Sequence, residues 1–126
     1  MAKILLVEDD QFLLSLMKTR LEKEKFDVIL AHDGPEALKL LRETKPDLIL
    51  LDIILPGMSG FDVLEEVQKD PQLRDKKSIP VIIISNLGQE SDIERGKELG
   101  VADYFVKARV SIDELVKKVN TFVKKS

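Results

Sequence analysis

The sequence predicts an α/β fold in which a doubly wound parallel sheet carries helices on both faces. The first observation is three runs of four consecutive apolar residues, at positions 4–7, 48–51 and 81–84. Uninterrupted runs of this kind are typical of strands that are covered on both faces. The second observation is that segments with helical spacing of apolar residues lie between these runs, which is the alternation expected of βαβ units. The length of 126 residues predicts one domain, spanning residues 1–126.

Two weaker apolar runs, at residues 28–31 and 104–106, predict strands nearer the edges of the sheet. Right-handed crossover connections then require helices on both faces. The usual order of five such strands in a chain of this length is 2-1-3-4-5, so the fold is expected to be flavodoxin-like. In this order the topological switch lies between the first and third strands. Ligands are therefore expected to bind outside the carboxyl ends of those strands.

The spacing of apolar residues predicts five helices, one after each strand. Asp10 is expected to cap the first helix, because aspartate is a favoured N-cap residue. The fourth helix is expected to span about residues 89–99. Ser111 is expected to cap the last helix, with Glu114 as its capping-box partner. The polar segment 70–78 is expected to be a surface loop.

The composition argues against several classes of protein. The formal net charge of -3 is unlike a nucleic-acid footprint, and Lys117, Lys118, Lys124 and Lys125 are interpreted as the solvated side of a helix. The chain has no cysteine, so it can form neither a disulfide framework nor a Cys-based zinc site. No apolar run approaches the roughly 18 residues of a membrane span, and no signal-peptide pattern follows Met1. We expect a cytoplasmic protein that contacts neither nucleic acid nor membrane directly.

Acidic residues follow two strands that are expected to be neighbours in the sheet. Glu8 and Asp9 come directly after the first strand, and Asp52 comes directly after the third. Two carboxylates about 5 Å apart at an effective dielectric of about 20 repel by roughly 3 kcal/mol, so their pKa values rise or a cation lies among them. Each residue alone could serve a helix terminus. Together, without His or Cys, they suit Mg²⁺, which binds carboxylates, waters and phosphate oxygens.

Two further polar residues are expected at the same edge of the sheet. Ser85 ends the fourth strand with a hydroxyl, and Lys107 follows the fifth strand with an ammonium group. Carboxylates, a hydroxyl and a cation at one edge are the composition needed to hold a phosphoryl group. Phosphoryl transfer requires chiefly positioning and charge neutralisation, here from Mg²⁺ and Lys107, with an aspartate as the in-line nucleophile.

Four segments of the chain resemble the receiver domains of two-component response regulators, namely "LLVEDD", "LILLDIILPGMSGFDVL", "IPVIIIS" and "DYFVK". The resemblance runs from residue 3 to about residue 122. It implies that Asp52 accepts a phosphoryl group from a phosphohistidine of a sensor histidine kinase or a histidine phosphotransfer protein. It also implies a Mg²⁺ site, which could equally take Mn²⁺. Asp9 would bind the metal directly, Glu8 largely through water, and Ile54 through its backbone carbonyl.

The resemblance implies further roles at the same site. Lys107 would pair with the acyl phosphate, Ser85 would supply the switch hydroxyl, and Tyr104 would be the aromatic side chain that swings inward on activation. Ser85 and Tyr104 would couple Asp52 to a face formed by the fourth helix, the fifth strand and the fifth helix, where a downstream protein would bind. The chain is expected to be a stand-alone receiver that passes its signal by binding a partner, as in chemotaxis-type regulators, or by relay to another histidine. It would be a signalling phosphoacceptor and not an enzyme.

The chain departs from the family pattern at three places. Ala108 stands where the family usually has proline after the lysine, so we expect a trans peptide and a rerouted loop. Asn86 replaces the small residue that is common after the switch hydroxyl, and is expected to narrow access to the phosphate. Ile54 and Leu87 flank the site with apolar side chains that cannot orient an attacking water. They predict a long-lived phosphorylated form.

Three other classes of protein share parts of this pattern. A flavodoxin-like FMN binder would need Ser, Thr or Gly donors after the first strand, where carboxylates would repel the phosphate. A phosphatase of the haloacid-dehalogenase kind would carry an Asp-x-Asp pattern on the first strand, which residues 8–10 do not supply. The third alternative is a degenerate receiver that is never phosphorylated and serves only as a protein-interaction module. The altered loop at Ala108 favours it, and the complete set of polar site residues counts against it.

Overall fold

The structure is a computed structural model and describes residues 1–123, so the interpretation of Lys124 and Lys125 lies outside the described residues. The sheet contains five parallel strands: β1 (Lys3–Val7), β2 (Asp27–Ala31), β3 (Leu48–Leu51), β4 (Val81–Ser85) and β5 (Asp103–Val106). Their order is β2-β1-β3-β4-β5, which confirms the predicted topology. The α-helices are α1 (Gln11–Lys23), α2 (Gly34–Glu43), α3 (Gly60–Lys69), α4 (Glu90–Glu98) and α5 (Ile112–Phe122).

The helices form one layer on each face of the sheet, as a doubly wound fold requires. One layer consists mainly of α2 and α3, which pack on a sheet face that includes Leu5, Leu51 and Ile83. The other layer consists of α1 and α5, which pack on the opposite face. All residues of β3 and β4 are buried, because these two strands have helices on both sides. Within residues 1–123 the structure contains no helix that is long and apolar enough to cross a membrane.

The strand register brings the chain segments after β1 and β3 side by side. Val7 pairs with Leu51 at the ends of these two strands. The Asp52 backbone N–H donates to the Val7 carbonyl at 3.0 Å, so the hydrogen-bonded ladder between β1 and β3 continues one residue past the end of β3. The residues that follow β1 and β3 therefore lie next to one another at the carboxyl edge of the sheet.

The helix caps form as the local sequence predicts. The Asp10 carboxylate accepts hydrogen bonds from the backbone N–H groups of Phe12 and Leu13, at 3.0 and 3.2 Å. Ser111 and Glu114 form a reciprocal capping box at the start of α5. These caps satisfy backbone donors that have no partner within the helix. Asp10 thus starts α1 directly beside the acidic residues that end β1.

The interpretation of segment 70–78 as a surface loop was wrong. Residues Pro71–Lys76 form a 3-10 helix, and Leu73 in it is fully buried. The Asp70 carboxylate accepts a hydrogen bond from the Gln72 backbone N–H at 2.9 Å, and Leu73 joins the core layer of α2 and α3. The Lys76 side chain is also buried, and its ammonium group donates to the Leu41 carbonyl near the end of α2. The segment is polar in composition, but through Leu73 it packs against the core residues of α2 and α3.

We predict that Leu73→Ala lowers the free energy of unfolding by about 2–5 kcal/mol, because it removes a fully buried side chain and leaves a cavity. Leu16→Ala is the matched control, since Leu16 in α1 is 40% exposed and should lose less than about 1 kcal/mol. Urea denaturation followed by circular dichroism measures both values. Equal losses in the two variants would show that the 3-10 helix is not part of the core.

Candidate functional site

Three acidic side chains meet at the carboxyl edge of the sheet. Glu8 is completely buried, Asp52 is 3% exposed, and Asp9 is exposed. One carboxylate oxygen from each lies within 4.8 Å of the others. The strand register produces this cluster, since Glu8 and Asp52 directly follow the paired residues that end β1 and β3. The structure therefore brings together the three acidic residues that the sequence placed at this edge.

The Lys107 ammonium group contacts both buried carboxylates. Its Nζ atom lies 2.8 Å from Asp52 Oδ2 and 2.8 Å from Glu8 Oε1. Lys107 opens a short 3-10 helix, Lys107–Arg109, that directly follows β5. Residues 1–123 contain no cis peptide bond, so the bond before Ala108 is trans as expected. The chain after β5 thus turns into a helical loop, and the lysine still reaches the acidic cluster.

The electrostatics of the cluster shift the pKa values of both partners. Burial, together with the charge of Asp52, raises the pKa of the Glu8 carboxyl to about 7. Burial alone would lower the pKa of the Lys107 ammonium, but hydrogen bonds and charge from Asp52 and Glu8 outweigh it and raise that pKa. Because its pKa is raised from 4.5, Glu8 stabilises the fold below about pH 4.5 and loses this contribution as the pH rises through about 7.

The Glu8 carboxylate is only partly satisfied by its neighbours. Oε2 accepts a hydrogen bond from the Asp10 backbone N–H at 3.2 Å. Oε1 is buried and lies beside the Lys107 ammonium group, which it shares with Asp52 Oδ2. One ammonium group cannot neutralise two buried carboxylates, whereas a bound cation would supply further positive charge. This donor set of oxygen atoms therefore fits a hard divalent cation.

The loop after β3 and the first residue of α3 fix the side chain and the backbone around Asp52. The Ile54 N–H donates to Asp52 Oδ1 at 3.2 Å, and the Gly60 N–H donates to the Ile53 carbonyl at 2.8 Å. A Cβ atom at Gly60 would lie 2.3 Å from the Asp52 carbonyl oxygen. Glycine is required here, because this distance is shorter than any van der Waals contact. The first residue of α3 thus rests directly on the main chain of Asp52.

Ser85 and Tyr104 both bind the loop that follows β4. Ser85 is fully buried, and its hydroxyl accepts a hydrogen bond from the Leu87 backbone N–H at 3.2 Å. The half-buried Tyr104 donates its hydroxyl proton to the Leu87 carbonyl at 2.5 Å. Burial, and then the charge of Asp92, raises the pKa of the Tyr104 phenol. The two side chains predicted to act as a switch therefore both bind the backbone of Leu87, Ser85 at its N–H group and Tyr104 at its carbonyl group.

The acidic cluster opens to solvent through a cavity of about 420 Å³, lined by Glu8, Asp9, Asp10, Asp52, Ile54, Asn86 and Lys107. Ile54, which lies at the edge of this cavity, is 54% exposed. Asp10 was interpreted from the sequence as a helix cap alone, yet its side chain also lines the opening. Its position next to Glu8 and Asp9 was the signal that could have indicated this. The opening is large enough for a phosphoryl group and the end of a donor side chain.

The family model described as the response regulator receiver domain matches residues 4–120 of this chain. Among curated proteins, the transcriptional regulatory protein CpxR of Escherichia coli K12 is 43% identical over 126 residues, which cover 100% of this chain and 51% of CpxR. Protein PilH of Pseudomonas aeruginosa is 37% identical over 120 residues, covering 95% of this chain and 96% of PilH. The chain thus spans about half the length of CpxR and nearly all of PilH.

Solved structures of receiver domains have the same fold. The receiver domain of Francisella response regulator 1452 has a TM-score of 0.86 and 33% identity, with 97% of this chain and 96% of that chain covered. TrrA from Thermotoga maritima, in complex with Mg(2+)-BeF, has a TM-score of 0.82 and 30% identity, with 98% and 100% covered. The TrrA complex shows that a protein of this fold binds Mg²⁺.

Sequence, fold and site geometry agree, and this chain belongs to the response regulator receiver domain family of two-component signalling.

Proposed function

We propose that residues 1–126 form a receiver domain that accepts a phosphoryl group on Asp52 in a Mg²⁺-dependent reaction. The donor would be a phosphohistidine of a sensor histidine kinase or a histidine phosphotransfer protein. The observation that carries the proposal is the Lys107 ammonium group, which lies 2.8 Å from both Asp52 and Glu8 in a cluster that opens to solvent. A buried aspartate with a cation beside it and an open approach suits an in-line attack on phosphorus.

The reaction forms one bond and breaks one. An Asp52 carboxylate oxygen attacks the phosphorus atom, and the bond between phosphorus and the donor imidazole nitrogen breaks. The imidazole leaves with the electron pair and takes up a proton. Lys107, which pairs with the carboxylates in the structure, would then pair with a phosphoryl oxygen. Ser85, at the end of β4, would donate its hydroxyl proton to another phosphoryl oxygen.

The metal would be held by the oxygen ligands of the same cluster. Asp9 and Asp52 would bind Mg²⁺ directly, Glu8 would bind it largely through water, and Ile54 would contribute its backbone carbonyl. When bound, the metal supplies positive charge that neutralises the phosphoryl oxygens. Mn²⁺ would fit the same ligands, because carboxylate, carbonyl and water oxygens suit both ions.

Phosphorylation would shift an equilibrium between two conformations. Ser85 and Tyr104 both bind Leu87, so a movement of the loop after β4 towards Asp52 would carry Tyr104 and α4 with it. A downstream protein would bind the face formed by α4, β5 and α5. The chain would act in the cytoplasm as a signalling phosphoacceptor, not as an enzyme with a separate substrate.

The rival proposal, a degenerate receiver that is never phosphorylated, depended on the altered loop at Ala108. In the structure this loop brings Lys107 into contact with Asp52 and Glu8, and this contact supports a working phosphoacceptor site. Phosphorylation by acetyl phosphate would distinguish the two proposals.

Incubation with acetyl phosphate and Mg²⁺ should add one phosphoryl group to the wild-type protein, and intact-protein mass spectrometry would detect it. Asp52→Ala should show no addition, because the nucleophile is lost. Asp75→Ala is the control, since Asp75 is an exposed aspartate in the 3-10 helix Pro71–Lys76 and should behave like the wild type. A folded wild-type protein that gains no phosphoryl group under these conditions would support the degenerate receiver.

The affinity for Mg²⁺ should weaken as the pH falls below about 7, because the ion must then displace the proton that Glu8 holds. Well below this pH the dissociation constant should rise by up to about tenfold per pH unit. Titration calorimetry in two buffers of different ionisation enthalpy would count the protons released. Glu8→Gln should abolish this release in the range of roughly pH 5.5 to 7.5, because the carboxyl group that holds the proton is lost. Proton release that persists in Glu8→Gln would assign the titration to another group.

The phosphorylated form should be long-lived, since Ile54, which lines the opening, and Leu87, whose backbone N–H binds Ser85, offer no polar side chain to orient an attacking water. The double variant Ile54→Asn, Leu87→Glu should hydrolyse at least about tenfold faster, as expected when a positioned polar group assists the attack. Mass spectrometry after removal of the donor would give both rates. Wild-type hydrolysis as fast as that of the double variant would contradict the prediction.

A further inference from the structure

Helix α4 is attached to the protein differently from the other α-helices. Its only buried residue is Gly96, which has no side chain. Each of the other four α-helices buries at least three apolar side chains. Burial of apolar surface is the main force that holds a helix against a sheet, and glycine is also a poor helix former. Helix α4 therefore depends more than the others on specific contacts.

One of these contacts comes from Arg95, which reaches from α4 to two residues of α3. Arg95 Nη2 lies 2.7 Å from Glu65 Oε1. The guanidinium carbon also lies 4.6 Å from the centre of the Phe61 ring, which is the geometry of a cation–π contact. Phe61 is buried in the first turn of α3, and Glu65 lies one turn further along that helix. We refer to Arg95, Phe61 and Glu65 as the Arg95 clamp.

The Arg95 clamp joins α4 to the part of α3 that touches the phosphoacceptor. Phe61 follows Gly60, which packs against the Asp52 carbonyl oxygen. At the next residue of α4, a Cβ atom on Gly96 would lie 3.2 Å from Tyr104 Cδ2, so the Tyr104 ring is packed against the helix backbone. Helix α4 thus lies between the helix that rests on Asp52 and the aromatic side chain proposed to act in the switch.

We propose that the Arg95 clamp fixes α4 in the position described above and thereby sets how readily α4 moves when Asp52 is phosphorylated. This inference rests on the proposed function, because it assumes that phosphorylation moves the loop between β4 and α4. A contact that exists in only one position of a helix favours that position by its own free energy. Loosening the clamp should therefore favour the phosphorylated conformation. Arg95 is a positioning residue, since it acts through Phe61 and Glu65 on α3.

The test uses beryllium fluoride with Mg²⁺ as a phosphoryl analogue. The chain contains one tyrosine and no tryptophan, so its tyrosine emission reports on Tyr104 alone. Arg95→Gln should bind beryllium fluoride about threefold to tenfold more tightly than the wild type, because both the ion pair and the cation–π contact are lost. Glu65→Gln should show a smaller increase, since the contact between Arg95 and Phe61 remains.

Arg42→Gln is the matched control, because it breaks an ion pair of the same kind away from α4. Arg42 Nη2 lies 2.9 Å from Asp70 Oδ2 and joins α2 to the segment after α3. This variant should bind beryllium fluoride as the wild type does. An unchanged affinity in Arg95→Gln, or an equal increase in Arg42→Gln, would overturn the proposal.

Hydrogen exchange of the α4 amides, measured without beryllium fluoride, tests whether the Arg95 clamp holds α4. This test does not depend on whether Asp52 accepts a phosphoryl group. Exchange in Arg95→Gln should be faster than in the wild type and in Arg42→Gln, because α4 opens more often when the clamp is absent. Unchanged α4 exchange would overturn the proposal. Failure of the wild-type protein to bind beryllium fluoride would instead contradict the role of Asp52, and the exchange rates would still decide whether the clamp holds α4.

Discussion

The site depends on one electrostatic constraint, which is that two buried carboxylates share a single ammonium group. Glu8 and Asp52 are nearly inaccessible to water, and Lys107 contacts both of them. One positive charge cannot balance two negative charges and the exposed Asp9 beside them. Burial raises the pKa of the Glu8 carboxyl most, and the nearby charge of Asp52 raises it further. The strand order imposes this constraint, because only neighbouring parallel strands can bring the ends of β1 and β3 so close together.

Much of the fold could be predicted because its determinants are local or periodic. Strands β1, β3 and β4 are apolar at consecutive positions, and the caps at Asp10 and Ser111 depend on residues within one turn. The 3-10 helix Pro71–Lys76 could not be predicted in this way. It contributes one buried leucine, Leu73, and a single apolar residue among polar neighbours has no period. Its burial depends on the space between α2 and α3, which is a property of the tertiary structure.

The candidate site was predictable in its residues but not in its geometry. Strand ends and topology placed the acidic residues, Ser85 and Lys107 at one edge, whereas the path of the loop at Ala108 remained open. In the structure the 3-10 helix Lys107–Arg109 provides that path, and the long lysine side chain spans the remaining distance. The contact of Arg95 with Phe61 had no signal in the sequence, because it joins two helices that are distant along the chain.

The layer formed by α1 and α5 has a consequence for how the chain folds. Leu14 and Met17 of α1 share one cluster of buried residues with Leu115 and Val119 of α5, so the first helix is covered by the last. Contacts between such distant segments slow folding, because a long loop must close before they form. During synthesis the part of the apolar face of α1 that α5 covers would stay exposed until α5 has left the ribosome. A chaperone that binds exposed apolar segments would therefore find a target in α1.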